Sequence, residues 1–116
     1  MLTVDEIKKW MRTNERAARK YAQRELILRV LSYLANMRAG FFDSEMLAIG
    51  KEPIRPNVLD VVELLETALM EDRFGLISEA CTKMLAKADE LERDGYTLFS
   101  GHFRYLGRSL ACREML

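Results

Sequence analysis

Cysteine, proline and histidine are all scarce in this chain, and each scarcity closes off a class of function. The two cysteines, Cys81 and Cys112, stand thirty-one residues apart in a chain of 116, and neither belongs to a CxxC. A disulfide framework and a zinc cluster therefore both lack their spacing, and isolated cysteines on apolar helical faces are expected as buried thiols. Two prolines and six glycines supply too few turn residues for a β-sandwich. The one histidine, His102, stands in no HExxH or ExxH, so a carboxylate-bridged metal site within a helical bundle has no diagnostic ligands. Gly50-Lys51 ends no GxxxxGK[ST] run and follows no strand pattern, which excludes a phosphate loop. No apolar stretch approaches the roughly 18 residues of a membrane span. The segment Met1-Leu2-Thr3-Val4-Asp5-Glu6 carries acids where a signal peptide needs positive charge. A cytoplasmic, reduced protein without cofactor is the expectation, and catalysis is the least supported class.

What the chain does have is helical periodicity. Hydrophobic residues make up 49% and charged residues 31%, a balance that predicts a globular fold. No segment alternates with period two, so the predicted fold is all-α: a single domain, an irregular or up-down bundle of four to five helices. The first helical stretch runs from Val4 to Arg38 without Pro or Gly. Thr3 with Glu6 forms a capping-box pattern at its start, and Gly40 terminates it. Asn14 can cap a second helix, so one helix and two are both open readings. Ile7, Trp10, Met11, Ala17, Ala18, Tyr21, Ala22 and Leu28 fall on one side of this stretch. They are expected to pack inward, continuous with a central core element at residues 26–37.

Asp43 or Ser44 is placed to cap a short turn over Glu45–Ile49. Residues 50–57, with Pro53 and Pro56, read as the connecting loop. Asn57 is expected to cap a helix to about Arg73, ended by Gly75, with Val58, Val61, Val62, Leu65, Ala68 and Leu69 inward. Two more helices are predicted over about 76–93 and 97–114. Their inward residues are Ile77, Cys81, Met84, Ala88 and Leu91, then Phe99, Phe103, Leu106 and Leu110. Gly101 and Gly107 interrupt the last, a pattern that often marks close approach of another backbone.

Eighteen basic and eighteen acidic residues cancel, but unevenly. Residues 1–40 carry nine basic and four acidic side chains, net +5; residues 41–95 carry six and thirteen, net −7; residues 96–116 carry three and one, net +2. Lys8, Lys9, Arg12, Arg16, Arg19 and Lys20 fall within an arc of about 120° opposite the apolar side. Arg104 and Arg108 extend it if the first and last helices are neighbours. Such a face attracts acidic matter: a protein, a second copy with complementary charge, or nucleic-acid phosphates.

The leading expectation is a non-enzymatic protein-binding domain, a small helical adaptor, inhibitor or chaperone-like regulator, closed as a two-fold dimer. Its candidate binding residues are Lys8, Arg12, Arg16, Arg19 and Lys20, with Phe41, Phe42 and Met46 as an apolar loop anchor. The alternative is a nucleic-acid-binding regulator using the same arc. A third expectation places His102 and the pair Glu63/Glu66 in one concave site.

Overall fold

The computed structural model describes residues 3–114, with side chains up to Ala111. Cys112, expected as a buried thiol, lies outside the described side chains, whereas Cys81 is buried. The elements in order are α1 (Val4–Arg38), α2 (Asp43–Ala48), α3 (Leu59–Glu71), α4 (Leu76–Arg93) and α5 (Thr97–Glu114). No strand occurs among the described residues, so the fold is all-α with five helices.

α1 begins as its capping pattern predicts: Thr3 Oγ1 accepts the Glu6 N–H at 3.2 Å, and Asp5 and Glu6 complement the positive end of the helix dipole. At Thr13-Asn14 the helix does not break. Both side chains fold back onto the preceding turn instead: Thr13 Oγ1–H donates to the Lys9 carbonyl at 2.9 Å, and Asn14 Nδ2–H to that of Trp10 at 3.0 Å. One helix of 35 residues results, about 52 Å long at 1.5 Å per residue. It ends where Gly40 takes φ +91° and lets the Phe41 N–H reach back to the Asn36 carbonyl at 3.2 Å.

The shorter elements differ from expectation at their ends. α2 starts two residues before the predicted turn, and neither Asp43 nor Ser44 caps it. Asn57 Oδ1 accepts the Leu59 N–H at 3.2 Å, so the expected residue serves the start of α3. α3 stops at Glu71, short of Arg73 and Gly75, because Asp72 adopts the left-handed conformation with φ 54°. Gly75 stands at the beginning of α4 instead.

α4 and α5 pack most intimately, joined by a short turn in which the Tyr96 N–H bonds the Leu91 carbonyl at 2.9 Å. Gly107 permits the approach: a Cβ there would lie 3.2 Å from Leu85 Cδ2. Gly101 faces open space, so close packing accounts for one glycine of the pair and not the other.

The core gathers Ile27, Val30, Leu34 and Met37 from α1, Met46 from α2, and Val61, Leu65 and Ala68 from α3. Ile77, Ala80, Met84 and Ala88 come from α4, and Phe99, Phe103, Leu106 and Leu110 from α5. Residues 26–37 are not its centre as expected. α1 buries one face against α5 and α3, and Leu28 is half exposed. The molecule measures 68 × 22 × 20 Å. Its radius of gyration, 18.0 Å, exceeds the roughly 13–14 Å of a compact chain of this length. The excess length is α1.

Gly101→Ala adds a methyl to open space in a helix interior. It is expected to raise stability by about 0.5–1 kcal/mol, read as a higher urea midpoint. Gly107→Ala, whose methyl meets Leu85, is expected to fall below it in the same measurement.

Candidate functional site

Every residue from Val4 to Tyr21 is exposed. This first half of α1, about 25 Å long, projects past the bundle as an arm. The apolar side chains expected inward are therefore outside: Trp10 and Tyr21 are each 67% exposed, and Ile7, Met11 and Leu28 are also open. The reason is a reversal of phase within one helix. Eighteen residues, five turns at about 3.6 residues each, separate Lys9 from Ile27, Arg12 from Val30, Arg16 from Leu34 and Arg19 from Met37. All four of α1's buried residues thus have a cation on the same side, five turns earlier. The face that is core in the second half is cationic in the first. Trp10 lies eighteen residues before Leu28, on the side that the bundle never covers.

The five predicted cations Lys8, Arg12, Arg16, Arg19 and Lys20 do share one face, and Lys9 belongs with them. Only Lys20 is engaged. Among the described residues Lys8, Lys9, Arg12, Arg16 and Arg19 have no ion-pair partner. Most cations of the body are held. Arg55 forks onto Asp43 at 2.7 and 2.9 Å, Lys87 meets Asp60 at 3.3 Å, and Arg38 donates to the Arg55 and Pro56 carbonyls.

The arm leaves the bundle at a charged joint. Lys20 Nζ lies 2.8 Å from Asp72 Oδ2, and Arg24 Nη1 donates to Asp72 Oδ1 at 3.2 Å and to the Leu69 carbonyl at 2.8 Å. Arg24 thus satisfies a carbonyl at the C-terminus of α3, where a cation also complements the dipole. Asp72 tolerates its left-handed backbone as few residues other than glycine do. The Lys20 hydrogen bond, with the charges of Lys20 and Arg24, holds the Asp72 carboxyl below its ordinary pKa.

The apolar loop anchor is not a unit. Met46 is fully buried in the core, and Phe42 is half-buried, stacked on Tyr33 and 4.3 Å from the His102 ring. Phe41 alone of the three is exposed, as are Leu47 and Ile49 a few residues further along the chain. Met46 is the residue by which the six-residue α2 closes the bundle end, while its neighbour Leu47 stays exposed. Met11, expected inward, is half exposed for the reason of phase given above.

Arg104 does not extend the basic face either. It donates to Ser100, Asp89 and Glu92, while Arg108 and Arg29 line a groove between α1 and α5 with Leu26 and Tyr105. His102 joins three helices: its Nδ1 shares a hydrogen bond with the Tyr33 hydroxyl, and Nε2 lies 3.5 Å from Glu45 Oε2. Burial, with the nearby Glu45 charge, raises the Tyr33 pKa above its ordinary value.

The site expected from His102 with Glu63 and Glu66 is not formed. Glu66 lines an apolar cleft of about 400 Å³ between α1 and α3, with Leu31, Ala35, Val58 and Arg38. Glu63 borders a different groove, and His102 borders neither. Among the described residues no three His, Cys, Asp or Glu side chains gather as for a metal ion. No described helix is long and apolar enough to cross a membrane. Comparison with known proteins gives no matching family model, no matching curated protein and no matching solved structure.

A carboxylate with a lowered folded pKa contributes stability above its unfolded pKa, about 3.9, and loses it as pH falls through the folded value. Asp72→Asn keeps the left-handed backbone and removes the charge. Its urea midpoint is expected below that of the natural chain at pH 7, the gap closing below about pH 4.

Proposed function

We propose that this chain is a non-enzymatic protein-binding domain, a small helical adaptor or regulator, whose arm presents a cationic face to an acidic protein surface. The observation that carries this is the arm's uncompensated charge. Five cations stand on one side of a projecting helix without an ion-pair partner among the described residues and outnumber the arm's three acids, while most of the body's cations are engaged. A helix gains most of its stability from packing of its faces, and this one is carried beyond any surface of its own chain. The bundle serves as its base, with Lys20 and Arg24 fixing the angle at which it leaves. A partner of opposite charge meets guanidinium and ammonium groups spaced one turn apart, at Lys8, Arg12, Arg16 and Arg19. The apolar loop contributes at most Phe41, since Phe42 and Met46 are occupied inside the fold.

The same unpaired cations favour a second reading, a nucleic-acid-binding regulator that contacts phosphates without reading bases. The two separate in one experiment. The natural chain and an Arg12→Glu/Arg16→Glu variant are used for affinity capture from nuclease-treated and untreated extract at about 50 mM salt. The protein reading expects acidic proteins retained by the natural chain after nuclease treatment and lost from the variant. Capture that vanishes with nuclease moves the assignment to nucleic acid. Identical capture by both chains removes the cationic face from the function.

A further inference from the structure

The cationic side leaves the other side of the arm unexplained. Val4, Ile7, Met11, Asn14, Ala18 and Tyr21 are spaced alternately by three and four residues, and all are exposed. That is the spacing of a coiled-coil seam. The series meets a charge at Glu25, just inside the joint made by Lys20, Arg24 and Asp72. The seam is therefore as long as the arm.

We infer that the arm pairs antiparallel with the arm of a second copy of this chain, along the seam Val4, Ile7, Met11, Asn14, Ala18 and Tyr21. This goes beyond the cationic-face reading and does not depend on it, because Lys9, Arg12, Arg16 and Arg19 lie on the outer back of such a pair.

The register follows from size and charge. Setting Ile7 opposite the second copy's Ala18 puts Val4 opposite Tyr21 and Met11 opposite Asn14, each layer twice by the two-fold axis. The outer layers match larger with smaller side chains. Asn14 in the middle has one amide N–H engaged with the Trp10 carbonyl; its second N–H and its Oδ1 remain at the seam, a polar layer that costs stability and fixes the register. On one flank Trp10 covers Ala17 of the other copy. On the other flank Lys8 meets Glu15, again twice. A parallel pair would put Trp10 beside Glu15 and Lys8 beside Thr3, and both flank contacts are lost. The antiparallel register also ends each arm tip where the other arm enters its bundle, so the two bundles sit at opposite ends.

The interface is modest. Trp10 and Tyr21 each offer on the order of 150–250 Å² to burial, and Val4, Ile7 and Met11 add to it. That stays at or below the roughly 800 Å² per partner of a standard interface, the size class of weak, transient association. The helix is already nucleated by its buried second half, so the pair need not supply that cost. Residues 4–20 carry six basic and three acidic side chains. Two like-charged arms repel, and the pair tightens as salt screens their backs. Attraction of an arm to the acidic middle of another chain would weaken instead.

Sedimentation equilibrium of the full chain over roughly 5–300 µM, at low and high salt, tests this. A monomer–dimer equilibrium that tightens with salt is expected. Met11→Glu, at an exposed position, is expected to stay monomeric with an unchanged urea midpoint. The register is tested by Lys8→Glu and Glu15→Lys at moderate salt. Each variant alone places like charges in both flank pairs, whereas their mixture restores both pairs. Monomers singly and a heterodimer on mixing are expected. The inference is overturned by a natural chain that is monomeric throughout, by a dimer that dissociates as salt rises, by a dimer indifferent to Met11→Glu, or by a mixture no stronger than its components. Arg12 and Arg16 are untouched in these variants, so failure here leaves the cationic-face reading standing.

Discussion

A helix of this length can turn only one strip of its surface toward its own bundle, and here that strip changes character partway along. From Leu26 onward it is apolar and joins the core; before that, at five-turn intervals from the same buried residues, it is cationic. Burying an unpaired ammonium or guanidinium costs on the order of several kcal/mol per ion, so the bundle ends where the cations begin. Lys20, the last of them, and Arg24 one turn on stay in contact because Asp72 answers both. That contact in turn explains why α3 stops at Glu71 and why an aspartate stands in the left-handed region. The elongated shape, the exposed Trp10 and the unpaired arm charges all follow from the same change of phase.

Much of the fold was legible because its punctuation is strong. Gly40, Pro53 and Pro56 mark real boundaries, Thr3 caps as its spacing with Glu6 implies, and the inward residues of α5 are those its periodicity selects, as are those of α4 apart from the half-buried Leu91 and the additional Ala80. The arm was misread for a specific reason. A helical wheel tells which residues share a side, not which side meets the body. Ile7, Trp10, Tyr21 and Leu28 do share a side; the core uses the opposite one, Ile27, Val30, Leu34 and Met37. Counting eighteen residues back from those four would have found Lys9, Arg12, Arg16 and Arg19, so the signal was present. For α2 no such signal existed, since six residues hold too little periodicity to tell a buried Met46 from an exposed Leu47. The role of Asp72 depends on partners some fifty residues earlier in the chain, Lys20 and Arg24, which local pattern cannot supply.

The two halves of the molecule differ in how completely they satisfy themselves. In the body the loop is pinned by Arg38 and Arg55, α2 is held through Phe42 and the His102 hydrogen bonds, and Arg104 ties α4 to α5. No buried side-chain polar atom among the described residues lacks a partner. The arm has no apolar cover, and among the described residues five of its six cations have no ion-pair partner. On the proposed reading that contrast is a division of labour: the body supplies rigidity and direction, and the arm supplies two chemically different faces that can be occupied together.

Trp10 is the one tryptophan in the chain, and it sits on the outer side of the arm, remote from the core. The protein therefore carries its indole chromophore on a segment that contributes nothing to the hydrophobic interior. Its emission reports the surroundings of the arm and is nearly blind to melting of the bundle. The aromatic residues at the core, Phe99 and Phe103, carry no such signal. In this molecule the optical probe of environment and the thermodynamic unit of folding are physically separate.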